Sequence, residues 1–343
     1  MNITFFIGNG FDLNLGLNTK YEHFYPYFLE KANKDNIIRG LLDGNEKYWS
    51  DLEEKLGEEL NNITQENMDK YNENKDELDI LLTEYLRYEQ NKYLYEEEKN
   101  RNQMLVSIKS FYADMTENNM NSIQTTLKAY KDEEYVYSFV IFNYTNTFDT
   151  MLSFCMKDTK IIGNHQASKG LKNNRIGDII HIHGTTESGM ILAVNDASQI
   201  NNEFLKKDEI FLDTFIKKRI NANIGARKTE KTVDVIRNSR IICIYGMSIG
   251  ITDKIWWEEL IKWLISNSNN KLVIFCKEKE EKIKSRIPAP TIRMTEKVRR
   301  KIFENGRGNR TETEYKQIKD RIMVVFNSRI FSFRNIDDDN DSI

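Results

Sequence analysis

Cysteine and proline are nearly absent, with three of each in 343 residues. Cys155, Cys243 and Cys276 are scattered and lack CxxC spacing, which leaves no sequence basis for a zinc knuckle or a redox pair. Two of them sit inside apolar runs, so buried, reduced thiols are expected. Charge of one sign is lacking too: the formal net charge of −3 gives no bulk attraction to nucleic acid or to an anionic membrane. No apolar run reaches the roughly 18 residues that a spanning helix needs, and no basic-then-apolar leader opens the chain. The expectation is a cytoplasmic protein without membrane contact.

Against those absences stand seven short apolar stretches bounded by turn residues or charges. They are Ile3–Ile7, Val136–Phe142, Ile179–His183, Met190–Val194, Ile241–Tyr245, Leu272–Cys276 and Ile322–Phe326. Each reads as a buried strand, and near-continuous apolar runs suit strands covered on both faces of a parallel sheet. Between the fifth and sixth, Asp253 to about Ser266 puts Ile255, Trp256, Leu260, Ile261, Leu264 and Ile265 on one helical face, which makes a βαβ unit. The tandem Trp256-Trp257 is expected to pack that helix into the core.

The stretch Tyr21–Tyr130 is charged and almost free of glycine and proline. Its apolar residues recur at helical spacing: Trp49, Leu52, Leu56 and Leu60, then Leu78, Leu81, Leu82 and Tyr85. It reads as a helical insertion between the first and second strands. Glu46–Lys99 holds 17 acidic against 7 basic residues, whereas Thr291–Arg321 holds 10 basic against 5 acidic. Solvated faces account for both; the alternative is that the acidic face docks a second copy or a partner protein. The expected organisation is residues 1–20 as first strand and glycine-rich loop, 21–130 as the acidic insertion, 131–330 as the rest of the α/β domain, and 331–343 as a partly disordered acidic tail.

Four strand ends carry polar or glycine-rich motifs. After the first come Gly8-Asn9-Gly10-Phe11-Asp12, where glycines permit a sharp turn and close approach of a phosphate to backbone amides. After the second stands Asn143, a turn former whose amide can also hold a water or a ribose hydroxyl. The third is Ile179-Ile180-His181-Ile182-His183-Gly184; strand periodicity points His181 and His183 to one face, and imidazole can move a proton near neutral pH. The fifth runs into Gly246-Met247-Ser248, with Thr252 or Asp253 placed to cap the following helix. Each motif has an ordinary structural use, namely turn, cap or satisfied core histidine. Together they fall on the carboxyl edge of one parallel sheet, where ligands bind.

The set of motifs resembles the AbiH family of phage abortive-infection proteins. The resemblance is carried by Ile7–Asp12, the run Gly16–Tyr21, Trp49 with Asp51-Leu52-Glu53, Phe142–Thr145, His181–Gly184, and Gly246–Ser248 with Asp253. AbiH proteins are in turn distantly similar to sirtuin-like NAD-binding and NAD-hydrolysing domains. That similarity implies a Rossmann-like, doubly wound and mostly parallel α/β sheet. It also implies that Asn143 and His183 serve cleavage of the nicotinamide–ribose bond. Asp12, Asn18 and Thr145 stand where those domains usually have a small or hydroxyl residue, a proline and an aspartate.

The expected function is therefore an antiphage effector that hydrolyses NAD on infection, with NAD as substrate and no cofactor required. Asn143, His183 and Asp12 form the catalytic set; Asp12 would stabilise positive charge on the ribose if it faces that sugar. Gly8, Asn9, Gly10, Phe11, Thr19, His181, Gly246, Ser248 and Asp253 form the ligand-binding set, with His181 deeper along its strand. Two alternatives stay open: a metal-dependent hydrolase of nucleotides or nucleic acid, with Asp12 and the histidines as ligands, and a nucleotide-binding sensor that signals to a partner without turnover.

Overall fold

The computed structural model describes residues 1–42, 52, 56–57, 60–156, 158–194, 197–225, 227–250, 253–278 and 288–333. Trp49, Asp51, Glu53, Thr252 and residues 334–343 lie outside the described residues; Phe331 and Phe333, expected at the start of a partly disordered tail, are buried in the core. Seven strands form one mixed sheet: β1 (Asn2–Ile7), β2 (Tyr135–Ile141), β3 (Ile161–Gln166), β4 (Leu171–His181), β5 (Ser239–Tyr245), β6 (Lys271–Cys276) and β7 (Ile322–Phe326). Their order is β3-β4-β2-β1-β5-β6-β7, and every pairing is parallel except β3 with β4.

Side-chain alternation along β1 explains why both faces are covered. Ile3, Phe5 and Ile7 enter a core shared with the helices Glu97–Lys109, Glu117–Ala129 and Thr147–Ser153. Phe6 points the other way, into a core shared with the helices Lys254–Ser266, Pro288–Asn305 and Glu312–Ile318. Trp256 and Trp257 are both buried there, and the Trp257 indole Nε1 donates to the Gly250 carbonyl at 2.8 Å. Cys155 and Cys243 are buried and Cys276 partly so, all three as free thiols.

Five of the expected strands appear within two residues of their expected bounds. Two do not, and one strand is new. The stretch expected at Ile179–His183 belongs to a longer strand that ends at His181. Met190–Val194 forms no strand: Leu192 and Val194 are buried in a separate helical core, and Val194 makes only an isolated bridge to Ile216. Short apolar runs are equally suited to a buried strand and to a coil pinned under helices, and burial alone does not separate them. The additional strand, β3, is polar and sits on the sheet edge, so no apolar run marks it.

That separate core joins two distant parts of the chain. The helices Tyr21–Lys31 and Met68–Gln90, with Leu52, Leu56 and Leu60, pack on Leu192, Val194, Leu205, Phe211 and Phe215. The helices Glu97–Lys109 and Glu117–Ala129, also within the expected insertion, pack on the sheet instead. Leu78 and Leu82 are buried as their helical spacing requires, while Leu81 is only partly so.

Candidate functional site

Five strand ends deliver their next residues to one place. Gly8 follows β1, Asn143 stands two residues after β2, His183 two after β4, Gly246 one after β5 and Lys277 one after β6. All five line a cleft of about 850 Å³ at the carboxyl edge of the sheet. The chain builds the sheet outward from β1 through β2 to β4 on one side and then crosses to β5 on the other side of β1, and such a reversal opens a crevice. The volume lies within the roughly 300–1,000 Å³ usual for small-molecule sites.

The loops after β1 and β5 hold each other. Gly8 N donates to Tyr245 O at 2.9 Å and Gly10 N to Gly246 O at 2.8 Å. A Cβ on Gly10 would lie 2.4 Å from the Cα of Gly246, so this glycine is required by the crossing of two backbones. The expectation that phosphate approach explains the glycine is thus corrected: protein occupies that space, and the Gly8 and Gly10 amides are already used. Asn9 and Thr19 lock together, with Thr19 Oγ1 donating to Asn9 Oδ1 at 2.6 Å and Asn9 Nδ2 to the Thr19 carbonyl at 3.0 Å. This tie anchors the glycine loop to the start of the helix Tyr21–Lys31.

Asp12 is fully buried, and burial pushes its carboxyl up from 3.8 to about 6. The hydroxyls of Thr145 and Thr147 oppose that rise. Thr145 Oγ1 donates to Oδ2 at 2.6 Å, and Thr147 Oγ1 donates to Oδ1. The neighbouring Asn143 amide also opposes it, though outside hydrogen-bond geometry, since Asn143 Oδ1 and Nδ2 are both buried with no hydrogen-bond partner among the described residues. Two unpaired polar atoms on one buried side chain are costly, about 1–3 kcal/mol each. Ligand or water in the cleft would pair them.

The two histidines part company because β4 ends at His181. Strand periodicity no longer governs His183, and the expected common face does not exist. His181 is not at the cleft wall; its Nε2 meets Asp149 Oδ2 at 2.8 Å. His183 sits in the following turn against Phe142 and Tyr144, lines the cleft, and has a buried Nδ1 without a hydrogen-bond partner among the described residues. Burial holds its pKa well below 6.5, and Lys217 and Lys228 add to the effect, so the imidazole is neutral at pH 7. Gly184 makes the turn possible: its φ is +73°, and a Cβ there would lie 1.8 Å from the Gly189 carbonyl oxygen.

Gly8, Asn9, Gly10, Asp12, Thr19, Asn143, His183, Gly246, Ser248 and Asp253 all line the cleft. Phe11 does not: it is fully buried, in edge-on contact with Phe148, Phe331 and Phe333, because its position in the short helix Gly10–Asn14 turns it into the sheet core. Asp253 stands at the start of the helix Lys254–Ser266, but its side chain makes no cap hydrogen bond.

Sequence reasoning missed Thr147, Lys217 and three lysines of the C-terminal part, Lys277, Lys297 and Lys301. Lys217 is buried at the cleft wall beside His183. Nothing in its local sequence, Lys217-Lys218-Arg219, marks it from its neighbours. The excess of basic residues in 291–321 was visible, but not which helical face meets the cleft. Among the described residues, no group of three or more His, Cys, Asp and Glu side chains is placed to hold a metal ion. No described helix is long and apolar enough to cross a membrane.

The profile of the bacteriophage abortive infection AbiH family matches residues 4–275. The match runs from β1 into β6 and so takes in the strand-end motifs from Gly8 to Asp253, while Lys277, Lys297 and Lys301 lie beyond it. No curated protein matches the sequence significantly.

Proposed function

This chain belongs to the AbiH family of bacteriophage abortive-infection proteins, and from that premise we propose that it is an infection-triggered effector that hydrolyses NAD between nicotinamide and ribose. The observation that carries the reading is the meeting of three groups at one cleft. They are the unpaired amide of Asn143, the neutral His183 with an unpaired Nδ1, and the buried carboxyl of Asp12. Buried polar atoms without partners are rare in native structures, and here they share a space of ligand size.

Each group has a part in that hydrolysis. The bond from the ribose C1′ to the pyridinium nitrogen breaks, its electron pair neutralises the departing ring, and positive charge develops on the ribose. Asp12, roughly nine-tenths ionised at pH 7 with a pKa of about 6, would stabilise that charge from a water-poor site. Water attacks C1′ as its proton passes to His183 and on to solvent, giving ADP-ribose, nicotinamide and one proton. Asn143 would hold the water or a ribose hydroxyl in line.

One contact, between positions 12 and 145, supports the proposed similarity to sirtuin-like domains. Those domains usually have a small or hydroxyl residue at the first and an aspartate at the second. Here Asp12 accepts the hydroxyl of Thr145 at 2.6 Å, so carboxylate and hydroxyl exchange places across one contact and the cleft keeps its acid. A Rossmann-like wrapping is likewise proposed from the strand order, which reads 3-2-1-4-5-6 when β3 is set aside.

The test is to incubate the purified protein with NAD and quantify nicotinamide and ADP-ribose, with and without a chelator. Turnover that survives chelation and is lost in Asn143→Ala and His183→Ala supports the glycohydrolase. Turnover abolished by chelation favours a metal-dependent hydrolase. Tight binding of NAD with no product favours a sensor.

A further inference from the structure

We propose that Lys277, Lys297 and Lys301 form a phosphate subsite of the cleft and select a pyrophosphate-bearing nucleotide over a nucleoside. The proposal rests on the nucleotide reading of the cleft and adds where the phosphates go. Three observations carry it.

First, two amides that the first glycine-rich loop would offer to phosphate are taken. Gly8 N and Gly10 N donate to Tyr245 O and Gly246 O, and the space beside Gly10 is filled by Gly246. With those two donors used, the negative charges of a diphosphate call for side-chain cations.

Second, three cations converge on the cleft from two elements. Lys277 follows β6 at the carboxyl edge of the sheet, and Lys297 and Lys301 are one turn apart on the helix Pro288–Asn305. That helix is fixed on the sheet by Ile302 and Phe303, both fully buried. The cluster is therefore held on a rigid element.

Third, pairing separates these lysines from Arg299 and Arg300 of the same helix. Arg300 forms a two-pronged pair with Glu312 at 2.6 and 2.7 Å and also meets Glu296; Arg299 donates to the Ile322 carbonyl at 2.8 Å. Lys297 and Lys301 make neither hydrogen bond nor ion pair among the described residues, and the same holds for Lys277. Like charges one turn apart weaken a helix. Here they line the cleft without an ion pair among the described residues, while Arg299 and Arg300 of the same helix are matched to a carbonyl and to acids. An ammonium group without an ion-pair partner suits a phosphate oxygen, with which it makes a charge-assisted hydrogen bond.

The experiment uses the full chain and the variant Lys277→Gln/Lys297→Gln/Lys301→Gln, all three sites being exposed, with a thermal melt to check folding. Binding of ADP and of inorganic pyrophosphate is measured by calorimetry at low and high salt. Binding to the parent should weaken with salt, and the variant should bind about tenfold to a hundredfold more weakly, as loss of several exposed charge contacts implies. The corresponding triple arginine variant should restore binding. With NAD and nicotinamide riboside as competing substrates, the preference for NAD should fall by the same factor through KM. Equal binding of ADP and pyrophosphate by parent and glutamine variant overturns the subsite, as does a parent that binds neither at low salt. ADP binding that depends on the lysines, in a protein that leaves NAD intact, supports the subsite and removes the glycohydrolase reading.

Discussion

Asp12→Asn takes away a charge that burial makes costly and keeps the shape of the side chain. Asn is close in size to a protonated carboxyl, so the variant mimics the neutral form of Asp12. Burial raises the group from 3.8 to about 6 even with two threonine hydroxyls donating to it. At about 1.36 kcal/mol per unit, holding the carboxylate ionised in the folded protein costs about 3 kcal/mol above pH 6. The sign follows from the raised folded value: the stability contributed by the neutral acid is complete below about pH 4 and is lost as pH rises through about 6. Parent and Asp12→Asn should melt together near pH 4 and separate at higher pH, with the variant the more stable. Unfolding entropy of about 2.1 cal/mol/K per residue gives about 0.7 kcal/mol/K for this chain, so the difference at pH 7.5 should approach 4 °C. The assay is a set of fluorescence melts from pH 4 to pH 8 on both proteins, with NAD turnover measured on the same samples. Stability should rise as turnover falls, the signature of a group kept for chemistry at the expense of folding. A variant that melts with or below the parent at pH 7.5, or a gap that does not change with pH, refutes this account of Asp12.

Other substitutions separate the parts of the site. His183→Ala should lower NAD turnover at least about a hundredfold with little change in melting temperature, and Asn143→Ala should behave alike; turnover and melts on both check this. His181→Ala should instead reduce stability, because it removes the half-buried partner of Asp149, and a variant with parental stability and no turnover would reverse the assignment of the two histidines. Gly10→Val should abolish folding and binding together, since its Cβ would meet the Gly246 backbone; soluble, cooperatively melting protein that fails only to bind would show the loop is not so constrained. In cells, expression at high level or phage infection should arrest growth while lowering phage yield, and cultures that divide normally while blocking phage would contradict an abortive mode.

How much of this was legible in the sequence alone differs by residue. Apolar strands such as Ile3–Ile7 and Ile241–Tyr245, and the amphipathic helix after Asp253, follow from local pattern, because burial on both faces or on one stripe leaves its period in the chain. Asn143, Asp12 and the glycine loops were readable as candidates because polar residues after apolar strands must fall at the sheet's edge. Where each edge residue turns was not readable. Position 181 is the last of a strand and 183 the second of a turn, so a two-residue repeat that would set them side by side sends one to Asp149 and the other to the cleft. Phe11 shares its loop with Asp12 but lies in the core. Gly10 was marked as special by the sequence, yet only the crossing of two loops 236 positions apart shows that Gly246 is the reason. The same holds for Lys217, Lys297 and Lys301, whose neighbours in sequence look alike. Local pattern determines which face of an element is apolar; contacts between segments far apart in the chain decide which polar residues meet, because those depend on how elements pack and where each strand stops.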